Sequence, residues 1–207
     1  MGWIDITQPL NKNIATWAGD TKFTYETVAT KEQTGSVNVG MLQMSLHSGT
    51  HMDAPFHFDS DGHTFEQLDL ERCIGKVVIV ECLDSDFIEV AHVEGKIAGV
   101  NAVFFKTKAM ANPHIFPEEV PTLTPETVAY LKECGIQLIG VDVPSVDKVS
   151  SKELPIHHAL AESDIYIVEN LLLEHVKAGR YEMILLPLLI EGADGSPVRA
   201  VIKEEEQ

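Results

Sequence analysis

From His47 to His57 the chain reads His47-Ser48-Gly49-Thr50-His51-Met52-Asp53-Ala54-Pro55-Phe56-His57, three histidines and an aspartate within eleven residues. Imidazole nitrogen and carboxylate oxygen are the ligand set that suits zinc, manganese and other first-row divalent ions, and no cysteine lies nearby to add soft sulfur. Gly49 and Pro55 let the backbone bend, so that side chains a few positions apart can converge on one point, as chelation requires. The pattern is not that of a helical zinc protease: there is no His-Glu-x-x-His, and the same glycine and proline oppose a helix. A single histidine here would read as a polar loop residue; the cluster reads as a metal site. His63 lies in Asp59-Ser60-Asp61-Gly62-His63, whose turn chemistry is self-sufficient. His92, His114 and His175 have no ligand-type companions and read as surface or satisfied core residues.

The elements that must position this cluster are partly visible. The first half is punctuated by Gly, Pro, Asp and Asn between short apolar runs such as Val37 to Met44 and Val77 to Val80, a pattern of strands and loops. Thr124-Pro125 is an N-cap followed by proline at the first helical position, with Val128, Leu131 and Cys134 on one face and Gly135 as the stop. Ile136 to Val143 and Ile165 to Val168 are apolar and β-branched, as buried strands are. Met183 to Ile190 is a third such run, in which Pro187 predicts an edge or a bulge. Asp142, at the end of a buried strand, has a structural reading, in which it holds the turn from Pro144 to Asp147, but is left without an assigned role. The acidic tail from Lys203 to Gln207 is expected to fray.

Composition narrows the function. At 207 residues one domain is the expectation, and 44% apolar with 23% charged residues is ordinary for a folded protein. Thirty-two acidic against fifteen basic residues give a net charge of -17, which repels a phosphate backbone and argues against nucleic acid. Cys73, Cys82 and Cys134 are odd in number without pair spacing, and read as reduced, mostly buried thiols. No apolar stretch approaches membrane length and the start carries no basic leader, so the expectation is a cytoplasmic protein with no membrane partner. The Met1-Gly2 start lacks the Ser or Thr that lipidation wants at the sixth position, which is Ile6.

The cluster from His47 to His57 resembles the signature of the metal-dependent cyclase family, most closely its bacterial kynurenine formamidase branch. The resemblance extends to Trp17-Ala18-Gly19-Asp20-Thr21, Ser36-Val37-Asn38-Val39-Gly40 and Gly140-Val141-Asp142-Val143-Pro144-Ser145-Val146-Asp147. It continues through His157-His158-Ala159-Leu160, Ile167-Val168-Glu169-Asn170-Leu171 and Ser196-Pro197-Val198-Arg199-Ala200, and so spans nearly the whole chain. It implies an α/β fold of the swivelling β/β/α type, a mixed sheet with packed helices, and a homodimer. It also implies two divalent ions per chain, zinc or manganese: His47, His51 and Asp53 at one, His157 at the other, with Asp53 and Glu169 reaching both. His157 is preferred over its neighbour His158 because the family places its ligand twelve positions before the bridging glutamate. His57 would stay unligated as the proton shuttle, and Trp17 would lie beside an aromatic substrate. The implied reaction is hydrolysis of an aromatic formamide, N-formylkynurenine, to kynurenine and formate by a metal-activated water. Within the same family, opening of the cyclic amide of isatin is the alternative, and a metal-binding protein without turnover is a further one that His57 argues against.

Overall fold

The computed structural model describes residues 2–107 and 112–205. In chain order the strands are β1 (Ile4–Asp5), β2 (Thr24–Ala29), β3 (Val39–Gln43), β4 (His51–Asp53), β5 (Ile74–Glu81), β6 (Phe87–Ile88), β7 (Ala102–Lys106), β8 (Thr122–Leu123), β9 (Leu138–Val141), β10 (Tyr166–Glu169), β11 (Gly179–Pro187) and β12 (Gly195–Glu204). The helices are α1 (Lys31–Thr34), α2 (Val90–Val93), α3 (Pro125–Glu133) and α4 (Pro155–Glu162).

Eight strands form one mixed sheet in the order β1-β12-β11-β5-β7-β9-β10-β4, parallel from β5 through β10 and antiparallel elsewhere. The three-residue strand β4 also pairs with β12, so the sheet closes on itself like a barrel. Side chains alternate across a strand, and that alternation separates two cores. Val77, Ile79, Phe104, Leu138, Val168 and Met52 pack inside the ring. Val78, Val80, Val103, Phe105, Ile139, Val141 and Ile167 face outward beneath the apolar sides of α2, α3 and α4. Each set is nearly free of solvent, and at about 25 cal/mol per Å² of apolar surface removed from water this burial is the main source of stability.

The α3 reading holds: the Thr124 side chain accepts from the Thr127 N–H, Pro125 is the first helical residue, and Gly135 follows with φ +78°. Cys134, however, is exposed, because it caps the helix end instead of continuing its buried face. The strands expected near 136–143 and 165–168 are β9 and β10. The run from Met183 belongs to β11, which starts earlier, at Gly179. Its pairing with β5 ends at Ile184, so Pro187 stands where only β12 is a neighbour and its missing N–H costs no ladder bond. The tail does not fray as early as expected, since β12 carries Lys203 and Glu204 in register with β11; residues 206–207, like Met1, lie outside the described residues. The run Val37 to Met44 supplies β3, which pairs with β2 as a hairpin outside the main sheet, with Tyr25, Val28, Val39, Met41 and Leu42 all exposed.

Candidate metal centre and active site

The closing strand β4 brings the cluster together. Residues i and i+2 of a strand share a face, so His51 and Asp53 point one way while Met52 is buried in the ring interior. Antiparallel pairing with β10 sets His51 directly opposite Glu169 and Asp53 opposite Ile167. His47 reaches the same point from the turn before β4. The close packing there requires Gly195 on β12, where a Cβ would lie 2.8 Å from His47 Cε1. α4 begins at Pro155 and delivers His157 from above the sheet. His57 ends the tight turn Pro55–His57 that follows β4.

The two carboxylates stand between the histidines. Asp53 Oδ1 lies 3.0 Å from His47 Nδ1 and 3.4 Å from His51 Nε2, and its Oδ2 lies 3.6 Å from His157 Nε2. Glu169 Oε2 lies 3.5 Å from His51 Nε2, and Oε1 lies 3.5 Å from His157 Nε2 while accepting the Val146 N–H at 3.1 Å. Each carboxylate thus turns one oxygen to His51 and the other to His157. His51, Asp53 and Glu169 each offer an atom within 4.8 Å of the others, and so do His47, Asp53 and His57. His51 Nε2 and Asp53 Oδ2 are buried without a hydrogen-bond partner. Buried polar atoms are almost always satisfied, so this pair of orphans marks where a metal ion fits: the donor set suits a divalent ion, and the bare atoms face the centre of the cluster.

Three oxygen acceptors that the sequence reading did not single out orient the rings. His47 Nε2 donates to Asp194 Oδ2 at 3.0 Å, His51 Nδ1 to the Gly49 carbonyl at 2.8 Å, and His157 Nδ1 to Asp147 Oδ2 at 2.8 Å. In each ring one nitrogen is committed outward and the other, Nδ1 of His47 or Nε2 of His51 and His157, is left for the cluster, an arrangement that selects the tautomer a metal needs. Gly49 has φ +66°, in the left-handed region that glycine enters at little steric cost, and its carbonyl is the one that takes the His51 proton. Asp147 also accepts the N–H groups of Ile156 and His157, fixing the start of α4. Nothing local in the sequence marks Asp194, which reads as one more turn carboxylate beside Gly192 and Gly195.

The electrostatics show a site that draws in positive charge. Burial opposes protonation of His47, but the hydrogen bonds to Asp194 and Asp53 outweigh it and push its pKa up to about 10. Burial likewise opposes, and Asp147, Asp53 and Glu169 overcome, so that His157 sits well above its ordinary value. Asp53 is held well below the usual carboxylate range by His157, His47 and His51 in spite of its burial. Burial and the neighbouring Asp53 raise Glu169. From protein charges alone, protons on the histidines do what a cation would do. His57 differs: burial, with His47 and His157 nearby, lowers its pKa, which keeps a neutral imidazole available.

Every other residue singled out from sequence can be placed. Trp17 lines a cavity of about 250 Å³ together with His47, His51, His57, His157 and Glu169, its ring edge-on to Phe116. His158 is exposed against Phe58 and does not enter the cluster. His63, His92, His114 and His175 lie elsewhere, the last three bonded to backbone carbonyls. Asp142 does not hold the Pro144–Asp147 turn. Its oxygens accept from the backbone N–H and hydroxyl of Thr107, tying the ends of β7 and β9, and burial pushes its pKa up to about 7.

Residues 4–148 match the family model described as putative cyclase. The chain is 49% identical to a kynurenine formamidase of Bacillus cytotoxicus and 50% identical to one of Bacillus cereus, each over 202 residues covering 97% of both chains. Among solved structures it superposes on a potential metal-dependent hydrolase with cyclase activity, at TM-score 0.83 and 26% identity over 100% of this chain and 99% of that one. The fold is shared with isatin hydrolase A from Labrenzia aggregata, at TM-score 0.83 and 22% identity over 99% and 94% of the two chains.

The outward hydrogen bonds generate a test. Asp194→Asn and Asp147→Asn should each weaken metal affinity by roughly 10- to 100-fold, read by competition with a chromogenic chelator, while His158→Ala leaves it unchanged. Unaltered affinity in both aspartate variants would show that these carboxylates do not set the histidines.

Proposed function

The chain belongs to the putative cyclase family, and on that premise we propose that it is a metal-dependent arylformamidase, hydrolysing N-formyl-L-kynurenine to L-kynurenine and formate. The observation that carries the reading is the buried cluster of His47, His51, Asp53, His157 and Glu169, with unpartnered atoms facing its centre. Near-full-length similarity to kynurenine formamidases supports the substrate. His47 and His51 with Asp53 would hold one divalent ion and His157 the other, Asp53 and Glu169 reaching both. With the histidines neutral, as metal ligation requires, the carboxylates of Asp53, Glu169, Asp147 and Asp194 would leave four negative charges, which two divalent cations would balance. When bound, such ions, zinc or manganese, activate a water and polarise the carbonyl under attack.

The remaining chemistry belongs to the chain's own groups. His57, a third exposed at the cavity wall with a lowered pKa, accepts the proton of the attacking water and passes it to the aniline nitrogen as the C–N bond breaks. Asp194 Oδ2 lies 3.6 Å from His57 Nδ1, where its charge favours the imidazolium formed once the proton is taken. Trp17 stacks on the substrate ring, and the cavity admits a single-ring ligand. The whole chain acts as one domain. The buried, reduced thiols of Cys73 and Cys82 support a cytoplasmic address.

The working form is a homodimer joined through the β2–β3 hairpin. A lone two-stranded hairpin is marginal in water, and this one exposes Tyr25, Met41 and Leu42 by half or more of their surface, as an unpartnered contact surface does.

Purified protein should carry two divalent ions per chain and lose activity on full chelation. His57→Ala should keep both ions yet lose about 10²- to 10⁴-fold in kcat, whereas Asp53→Ala should lose metal; elemental analysis beside steady-state kinetics reads both. A His57→Ala protein short of one ion would make His57 a ligand. Kinetics on N-formyl-L-kynurenine should give kcat/KM of at least about 10⁴ M⁻¹s⁻¹, with isatin much poorer and Trp17→Ala raising KM several-fold more than it lowers kcat. A metal-replete enzyme that prefers isatin contradicts the substrate while sparing the metal centre. In sedimentation, wild-type protein should be a dimer and the double variant Met41→Asp, Leu42→Asp a monomer; a dimer in both cases places the interface elsewhere.

A further inference from the structure

The substrate class just proposed has two ends: a formamide on an aromatic ring, and an amino acid carrying a carboxylate and an ammonium group. The metal cluster and Trp17 account for the first end only. Resting on that reading, we infer that Lys148 and Lys152 bind the substrate's α-carboxylate and Asp20 its ammonium group.

All three residues line the same 250 Å³ cavity as Trp17, His57 and Glu169. Both lysines are exposed, and among the described residues neither side chain has a hydrogen bond or an ion pair. Elsewhere in this acidic chain, Lys76, Lys106, Arg72 and Arg199 are each engaged by a carboxylate. Free ammonium groups at the mouth of the site are therefore available to an incoming anion, which the net charge of -17 would otherwise repel. Asp20 is half-buried on the Trp17 segment, and one of its oxygens accepts the Thr21 N–H at 2.6 Å.

The lysines stand on a pinned turn. The Ser151 N–H donates to the Lys148 carbonyl at 2.8 Å, and the Leu154 N–H to Ser151 Oγ at 3.1 Å. On one side the turn follows Asp147, which orients His157; on the other, Leu154 leads directly into α4. The same short segment that sets a cluster histidine thus sets where both lysine stems begin. A substrate ring against Trp17 with its amide at the cluster directs its side chain toward this rim, where opposite charges meet a zwitterion. Charge-assisted hydrogen bonds of this kind add affinity and select against ligands without the matching charges.

The test compares two substrates on metal-loaded enzyme: N-formyl-L-kynurenine and 2-formamidoacetophenone, which keeps the aryl formamide and ketone but lacks the amino-acid end. The double variant Lys148→Gln, Lys152→Gln should lose roughly 10- to 100-fold in kcat/KM on N-formyl-L-kynurenine, mostly through KM, and stay within about 2-fold of wild type on the ketone analogue. The double arginine variant should restore most of the loss, and Asp20→Asn should show the same substrate selectivity. Equal loss on both substrates, or no loss on either, overturns the lysine assignment, and an unselective Asp20→Asn overturns the ammonium half. Wild-type enzyme inactive on both aryl formamides but active on another amide overturns the arylformamidase reading itself, and the clamp with it.

Discussion

Asp53 and Glu169 are buried side by side, and the unscreened negative charge between them is what the rest of the site is built to answer. Moving a carboxylate out of water costs several kcal/mol even after the protein relaxes, and a second one alongside adds repulsion. The structure meets this with three imidazoles aimed at the pair and one backbone N–H on Glu169, and anchors each imidazole from behind so that it cannot turn away. The anchors themselves include two more carboxylates. The whole assembly therefore gathers negative charge around a centre whose natural complement is a small, highly charged cation.

That constraint explains features of the fold that would otherwise look arbitrary. β4 is only three residues long, yet it pairs on both edges, because His51 and Asp53 must meet Glu169 from β10 on one side while Gly195 of β12 leaves room for His47 on the other. The parallel run from β5 to β10 places β10 at the edge β4 needs, and the outward face there is the one α4 covers. Met52, on the opposite side of the same strand, ties the closing strand to the inner core.

How far the sequence disclosed this depends on the range of the forces involved. Ligand chemistry is a property of residue types, so the crowding of His47, His51, Asp53 and His57 was legible, and local capping rules located α3 from Thr124 to Gly135. Glu169 and His157 lie a hundred or more residues away and could be joined to the cluster only through the family resemblance. Asp194 and Asp147 were not assigned a role, since a carboxylate in a turn looks the same whether it faces solvent or a histidine. The ring closure was equally hidden: three residues pairing on two edges leave no periodicity to detect. The apolar character of Val37 to Met44 indicated a strand but not that it would stay outside the sheet, because exposure is decided by what else is available to cover a segment. For Asp142 the sequence suggested a local role in the following turn without deciding it, and the residue it does hold, Thr107, lies 35 positions away.

The position of the cluster on the closing strand also bears on the chain's topology as a polymer. Ions bound there would fasten residues 47–53 to residues 157–169, shutting a loop of more than a hundred residues at its narrowest point. In the unfolded ensemble such a closure restricts many conformations, much as a disulfide spanning the same distance would, but it is made of exchangeable bonds. Metal binding at this point would give a chain whose cysteines are all free a reversible cross-link, and its resistance to unfolding would then depend on the supply of metal ions as well as on the packing of its core.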